Sequence, residues 1–148
     1  MSDSNIPLHV VFVEAWVKKD NKYLLAKRSS KDDQAAGKWA VPGGKIEMEL
    51  GSNIVENSLK REVQEEVGIE VDDFHFLASR SFIRSSGHHV VALSFIADYK
   101  SGEAMPLEDQ DEIRWVTIEE MEHLLDEHWT NVLNALRDFE KRINVICN

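Results

Sequence analysis

The sequence predicts an α/β (α+β) sandwich in which helices flank a mixed β-sheet. Its length of 148 residues suits one compact domain. Apolar, β-branched runs and helical apolar patterns are interspersed from one end of the chain to the other. No repeat, low-complexity tract or linker divides the sequence. We therefore expect a single domain over residues 1–148.

The first part of the chain predicts a β-hairpin followed by a loop. Residues 8–17 are apolar and β-branched, and a polar turn separates them from a second strand over residues 23–28. A polar loop over residues 29–38 leads to the short apolar segment 39–41. The tripeptide Pro-Gly-Gly at 42–44 then interrupts any regular element.

Residues 53–67 predict the most clearly delimited helix. Asn53 followed by Glu56 matches a capping box, and Gly68 is a typical stop at the C-terminal end. Between them, apolar residues recur at every fourth position: Val55, Leu59, Val63 and Val67.

The second half predicts three more strands and two helices. Strands are expected at residues 70–84, 88–99 and 112–116. Thr117 with Glu120 forms another capping-box pattern that starts a helix. A last helix is expected from about Trp129 to Ile146, and its apolar side either packs on the sheet or forms a dimer contact.

The composition excludes several classes of protein. The net charge of −10 argues against a nucleic-acid polymer as partner, because phosphate contacts require a basic surface. The single cysteine, Cys147, cannot form an internal disulfide, which favours a reducing compartment. Neither a signal peptide nor a membrane span is recognisable, so we expect a cytoplasmic protein that does not bind membranes.

Three carboxylates on the first helix form the strongest chemical signal. Glu62, Glu65 and Glu66 share one face at about 100° per residue, although like charges at this spacing repel each other. Oxygen ligands of this kind suit a hard divalent ion such as Mg2+, which also binds substrate phosphates. The alternative is a solvated acidic surface. Glu62 and Glu66, however, lie beside the apolar stripe and not opposite it.

Gly43 and Gly44 lie one loop before this helix. Adjacent glycines allow a ligand or a metal ion to approach the backbone closely, although Pro-Gly-Gly is also an ordinary turn sequence. Their position next to the acidic helix favours a shared site.

The segments PGGK and REVQEEVGI together resemble the Nudix box of Nudix hydrolases, G-x5-E-x7-R-E-U-x-E-E-x-G-U with U apolar. One feature departs from the pattern, because the loop after Gly44 is three residues longer than in the family and Asn53 stands where the box has its first glutamate. Either Glu47 or Glu49 replaces that glutamate, or Asn53 only caps the helix. The matching positions are Gly44, Arg61, Glu62, Val63, Glu65, Glu66, Gly68 and Ile69.

The resemblance implies hydrolysis of a nucleoside diphosphate linked to another group, with Mg2+ or Mn2+ as cofactor. It implies that Glu65 and Glu66 are metal ligands, that Glu62 is a ligand or the base, and that the Gly44 carbonyl is a further ligand. Arg61 is expected to pair with a neighbouring acid and hold its rotamer. Glu62, Glu65 and Arg61 are thus the expected catalytic residues.

Other residues are implied less directly. Arg28, at the end of the second strand, stands where family members contact phosphate or base, and Gly43 and Gly44 are expected to border the substrate. A base outside the box is also expected in the acidic segment 108–112, with Asp109 and Glu112 as candidates.

The expected substrate is a small nucleotide, either a nucleoside triphosphate or a nucleotide sugar. The sequence leaves open whether the protein is a monomer or a homodimer. Two other hypotheses are a noncatalytic nucleotide sensor, suggested by the missing glutamate, and a scaffold that binds only the cation. Four aromatic residues either stack on a base or belong to the core: Phe12, Trp16, Trp39 and Phe82.

Overall fold

A computed structural model of the chain describes residues 9–31, 36–48 and 50–147. The helices are α1 (Ile54–Val67), α2 (Ile118–Leu124) and α3 (Thr130–Cys147), with a 3₁₀ turn (Glu127–Trp129) before α3. The strands are β1 (Val10–Lys19), β2 (Lys22–Arg28), β3 (Trp39–Ala40), β4 (Gly43–Lys45), β5 (Glu70–Ile83), β6 (His89–Ser101) and β7 (Gln110–Val116).

The strands form one mixed sheet with the order β3-β2-β1-β6-β5, in which β4 also pairs with β1 and β7 with β2. β1 and β6 are parallel, and the other pairs are antiparallel. The predicted hairpin is confirmed, but β1 and β2 pair only near their turn, at Lys18 with Tyr23 and Lys19 with Lys22. Residues 12–14 of β1 pair instead with β4, which brings the two glycines of β4 beside β1, and β6 pairs with β1 along nearly its whole length.

Helices cover both faces of this sheet, as predicted for the sandwich. Side chains of a strand alternate between faces, so Val13 and Ala15 pack with residues of α1 while Trp16 packs with residues of α3. Leu133 and Leu136 of α3 are buried within the chain. The apolar side of α3 therefore packs on the sheet, the first of the two uses that its sequence allowed.

Two helix ends confirm their sequence signals and one does not. Gly68 has a φ of 74° and its N–H donates to the Gln64 carbonyl at 3.1 Å, so it ends α1 as predicted. The capping box of Thr117 and Glu120 is present at the start of α2. The predicted capping box at Asn53 is wrong. Asn53 is left-handed, with a φ of 56°, and this conformation keeps its side chain from capping the helix.

Within the described part of the chain, no helix is both long and apolar enough to cross a membrane. α3 ends at Cys147, whose side chain is outside the description.

Candidate active site

The two glycines of β4 allow α1 to approach the sheet closely. Gly43 pairs with Glu14 of β1, and Gly44 pairs with Val13. A Cβ atom on Gly44 would overlap the carboxylate of Glu62, which lies directly against the backbone at this position. The lack of a side chain at Gly44 therefore determines where the Glu62 carboxylate can lie.

Glu66 lies at the junction of three elements. Its side chain is 7% exposed, and Oε2 accepts a hydrogen bond from the Gly43 N–H at 2.8 Å. Oε1 accepts a hydrogen bond from Nε2 of Gln110 at 3.2 Å and lies 3.8 Å from a guanidinium nitrogen of Arg28. One carboxylate thus joins β4, the start of β7 and the end of β2.

The surroundings of Glu66 oppose its ionisation. Burial raises its pKa to about 8, although the hydrogen bond from the Gly43 N–H lowers the pKa. The negative charges of Glu62 and Glu108 raise the pKa further, and the positive charge of Arg28 lowers it. The carboxylate therefore lies in a negative region that its protein neighbours compensate only in part.

Glu62 is the second carboxylate turned towards β4. Its side chain is 17% exposed, and a guanidinium nitrogen of Arg61 lies 3.5 Å from Oε1, which is the pairing implied for Arg61. Burial raises the pKa of Glu62, the charges of Glu65 and Glu108 raise it further, and Arg61 lowers it. Glu65 is exposed on α1, yet it is close enough for its charge to act on Glu62.

The acidic loop before β7 reaches the site through a residue that the sequence did not single out. The backbone N–H groups of Met105 and Leu107 donate to the carbonyls of Val67 and Glu66, at 3.0 and 2.9 Å, and attach the loop to the end of α1. Glu108 follows with a φ of 47°, and its charge raises the pKa of both Glu62 and Glu66. Composition identified this loop as acidic but could not tell which carboxylate faces the helix.

The two residues that the sequence proposed in this loop have other contacts. The backbone carbonyl of Asp109 accepts a hydrogen bond from the Ser29 N–H at 2.8 Å, and the carboxylate of Glu112 pairs with Arg114 at 2.9 Å. Gln110, which was also missed, is 8% exposed and donates to Glu66.

Two of the three candidates for the place of the missing box glutamate lie on the surface. Glu47 and Asn53 are both exposed, and Glu49 lies outside the described residues.

The site fits a hard divalent cation in donor type and charge. All the candidate side-chain donors are carboxylate oxygens, and burial together with the repulsion of neighbouring acids keeps the pKa values of Glu62 and Glu66 above the ordinary range. A cation would relieve this repulsion. Among the described residues, however, no three His, Cys, Asp or Glu side chains are already arranged to hold a metal ion together.

Comparison with known proteins identifies the family. The profile of the NUDIX domain matches residues 8–139, which include the whole of this site. The chain belongs to the Nudix hydrolase family. It is similar to an ADP-ribose pyrophosphatase of Methanocaldococcus jannaschii, with 32% identity over 128 residues that span 86% of this chain and 73% of the relative.

Solved structures agree with this membership. A MutT Nudix hydrolase from Burkholderia pseudomallei superposes with a TM-score of 0.74 and 28% identity, over 87% of this chain and 98% of that one. The Nudix domain of Shewanella oneidensis NrtR, solved with ADP ribose, gives a TM-score of 0.72 over 92% and 91% of the two chains. Its 17% identity shows the shared fold alone. The chain is thus a Nudix-type hydrolase acting on phosphoanhydride bonds, and such hydrolases generally use a divalent metal.

Proposed function

We propose that the protein is a Mg2+-dependent pyrophosphohydrolase that cleaves a nucleoside diphosphate linked to another group, with Mn2+ as an alternative ion. The observation that supports this most is the buried carboxylate of Glu66, which has two further acids around it and Arg28 as a nearby positive charge. Such an arrangement favours a bound cation, and a bound cation gives an acidic protein affinity for an anionic substrate.

Glu62, Glu65 and Glu66 would hold the metal, with the Gly44 carbonyl as a further ligand. When bound, the ion neutralises the diphosphate and lowers the pKa of a coordinated water molecule. Arg61 keeps the Glu62 carboxylate in place through their contact at 3.5 Å. Glu66 is fixed by the Gly43 N–H, so the carboxylate and the glycine backbone cannot shift independently.

Other residues bind the substrate and move the proton. Arg28 has a side chain that is 30% exposed beside Glu66, where it can pair with a phosphate oxygen of the substrate. Glu62 or Glu108 accepts the proton of the attacking water. The raised pKa of Glu62 makes its carboxylate a stronger proton acceptor than an exposed glutamate. Asp109 and Glu112 stay as candidates for this role, to be compared directly with Glu108.

For the substrate we favour a nucleotide sugar or a nucleoside triphosphate. The Methanocaldococcus jannaschii relative is named for ADP-ribose, which is a nucleotide sugar. ADP-ribose and other nucleotide sugars are therefore the first compounds to test, followed by the nucleoside triphosphates.

The test is a panel of nucleotides incubated with the full chain and Mg2+, in which every product is identified. We expect Mg2+-dependent release of a nucleoside monophosphate from at least one compound. Glu65→Gln should lower that rate by about 100-fold or more, while the melting temperature stays near that of the wild type. Glu56→Gln, in the first turn of the same helix, is the control and should keep the activity.

The sensor is the alternative function that one observation favours. Asn53 stands in the place of a box glutamate and is exposed, without a side-chain cap. If the protein binds a nucleotide tightly but turns over no compound in the panel, the sensor hypothesis replaces the enzyme hypothesis. Mg2+ binding without nucleotide binding would favour the scaffold.

A further inference from the structure

Gln110 is a buried amide whose two polar atoms have different surroundings. It is the first residue of β7 and is 8% exposed. Its Nε2 donates a hydrogen bond to Oε1 of Glu66 at 3.2 Å. Its Oε1 is buried and accepts no hydrogen bond from residues 9–31, 36–48 or 50–147. The side chain therefore provides a donor to Glu66 while its own carbonyl oxygen stays unsatisfied.

The unsatisfied oxygen lowers the stability of the fold. A buried acceptor that loses its hydrogen bond to water and gains no other destabilises the folded state. An apolar side chain of similar length would avoid this loss. Groups that are kept at the expense of stability are typical of functional sites. The hydrogen bond to Glu66 is the contribution of Gln110 that an apolar residue could not make.

Backbone hydrogen bonds connect the same two residues a second time. The Leu107 N–H donates to the Glu66 carbonyl at 2.9 Å, and the Gln110 N–H donates to the Leu107 carbonyl at 3.1 Å. Residues 107–110 thus form a turn that is attached to Glu66 by the backbone at one end and by a side chain at the other. Glu108 lies inside this turn. Gln110 therefore fixes the Glu66 carboxylate relative to the loop that carries Glu108.

Both hydrogen bonds that orient the Glu66 carboxylate come from neutral donors. Gln110 donates to Oε1, and the Gly43 N–H donates to Oε2 at 2.8 Å. A lysine in the place of Gln110 could also orient the carboxylate, but its charge would cancel that of Glu66 and repel a metal ion. Neutral donors fix the geometry and leave the negative charge available for a cation.

We propose that Gln110 is a positioning residue that aims the Glu66 carboxylate at the divalent cation of the candidate active site. This inference deepens the proposed function and rests on it for the presence of the cation. Gln110 acts through Glu66, and no contact with the substrate is assigned to it. Hydrogen-bond partners of metal ligands typically change metal affinity by about 10- to 100-fold.

The experiment is a Mg2+ titration of the full chain, followed by the NMR amide resonance of Gly43, whose N–H contacts Glu66. Gln110→Met should weaken Mg2+ binding by about tenfold or more. Its melting temperature without metal should stay within about three degrees of the wild type, because one hydrogen bond and one unsatisfied acceptor are lost together. Gln64→Met, at an exposed glutamine of α1, is the matched control and should keep the wild-type affinity.

A shorter amide separates orientation from polarity. Gln110→Asn keeps the amide but removes one methylene group, so its N–H no longer reaches Glu66 and Mg2+ binding should weaken by a similar factor. In the metal-free protein, both variants should shift the Gly43 resonance. The Gly68 resonance should stay in place, because that N–H donates to the Gln64 carbonyl at the end of the helix.

Three results would overturn the inference. These are an unchanged Mg2+ affinity in Gln110→Met or Gln110→Asn, a loss of affinity that always accompanies an equal loss of stability, and a wild type that binds no Mg2+. Mg2+ binding that depends on Gln110 in a protein without turnover would support this inference and contradict the proposed hydrolysis. Turnover with a Mg2+ affinity that does not depend on Gln110 would do the reverse.

Discussion

Glu14 and Glu66 are both buried carboxylates, and they lie on either side of the same glycine strand. Glu14 has a guanidinium nitrogen of Arg80 at 3.2 Å and the hydroxyl of Ser94 at 2.7 Å. Glu66 has one guanidinium nitrogen at 3.8 Å and is close enough to two other acids for their charges to raise its pKa.

The two carboxylates differ in the charges around them. Removing an ion from water costs several kcal/mol unless a partner compensates for it, and burial raises the pKa of both Glu14 and Glu66. Arg80 lowers the pKa of Glu14, whereas the charges of Glu62 and Glu108 raise the pKa of Glu66 further, so Glu66 is the carboxylate that favours an external cation. Burial alone would not have separated the two sites, because Glu14 is at least as buried as Glu66.

The largest expected effect is that of Glu66→Gln on hydrolysis. The substitution keeps the shape of the side chain and removes its charge, so we expect Mg2+-dependent turnover to fall on the order of 1000-fold. Initial rates on the best substrate of the panel measure this. Glu14→Gln should reduce turnover much less. Similar losses in the two variants would contradict the distinction between the two carboxylates.

Substitution by alanine should have different effects at the two glycines of β4. In Gly44→Ala the new atom meets the flexible end of Glu62, so turnover should fall by about 100-fold with little loss of stability. In Gly43→Ala it meets the backbone of Val13 and Glu14, so stability itself should fall. Kinetics and thermal melting of both variants provide the comparison. A Gly44→Ala protein with normal turnover would show that the Glu62 position is unimportant.

Glu108 should contribute more to turnover than the other acidic residues of its loop. Its charge acts on Glu62 and Glu66, whereas Glu112 is paired with Arg114. We expect Glu108→Gln to lower turnover by about tenfold. Asp109→Asn and Glu112→Gln are the matched variants and should stay near the wild-type rate. If either of them loses more activity than Glu108→Gln, the base or ligand of this loop is that residue.

The smallest effect is on stability as a function of pH. The pKa of Glu66 is about 8 in the folded protein and near its ordinary value of 4.5 when unfolded, so the folded state holds the proton more tightly. The stabilisation is complete below about pH 4.5 and is lost as the pH rises towards about 8. Glu62 contributes in the same direction, because its pKa is also raised.

Thermal melting of the metal-free protein across this pH range measures the loss. Glu66→Gln should flatten the dependence by a few degrees, and Mg2+ should stabilise the wild type most at the upper end of the range, where the carboxylates are charged. Glu56→Gln should behave as the wild type. A melting temperature that rises steadily with pH in the metal-free wild type would contradict the raised pKa.

The sequence predicted those structural features that depend on a local pattern of residues. The hairpin, the stop at Gly68 and the contact of Arg61 with Glu62 follow from residues close together in the chain. Asn53 shows the limit of this reasoning, because a capping pattern does not reveal a left-handed backbone.

The contact between Glu14 and Arg80 could not be predicted, because it depends on register between distant strands. The pairing of β5 with β6 shifts between Asp72 and His75 and again between Phe76 and Ala78. Each shift breaks the simple alternation of faces, so the sequence could not tell on which face Arg80 lies. For the same reason, the sequence could not tell whether Phe82 and Trp16 stack on a base or belong to the core. The structure places Trp16 in the core.

The parallel pairing of β1 with β6 also has a kinetic consequence. The hydrogen bond between Glu14 and Ser94 spans 80 positions of sequence, and the pairing around it cannot form until the intervening chain has been closed into a loop. Contacts of such long range slow the folding of small domains. A nascent chain that has emerged only as far as Ile69 holds every matching residue of the Nudix motif but lacks β6, the strand that pairs with β1 along most of its length. It should gain its ion-binding and nucleotide-binding properties late and together.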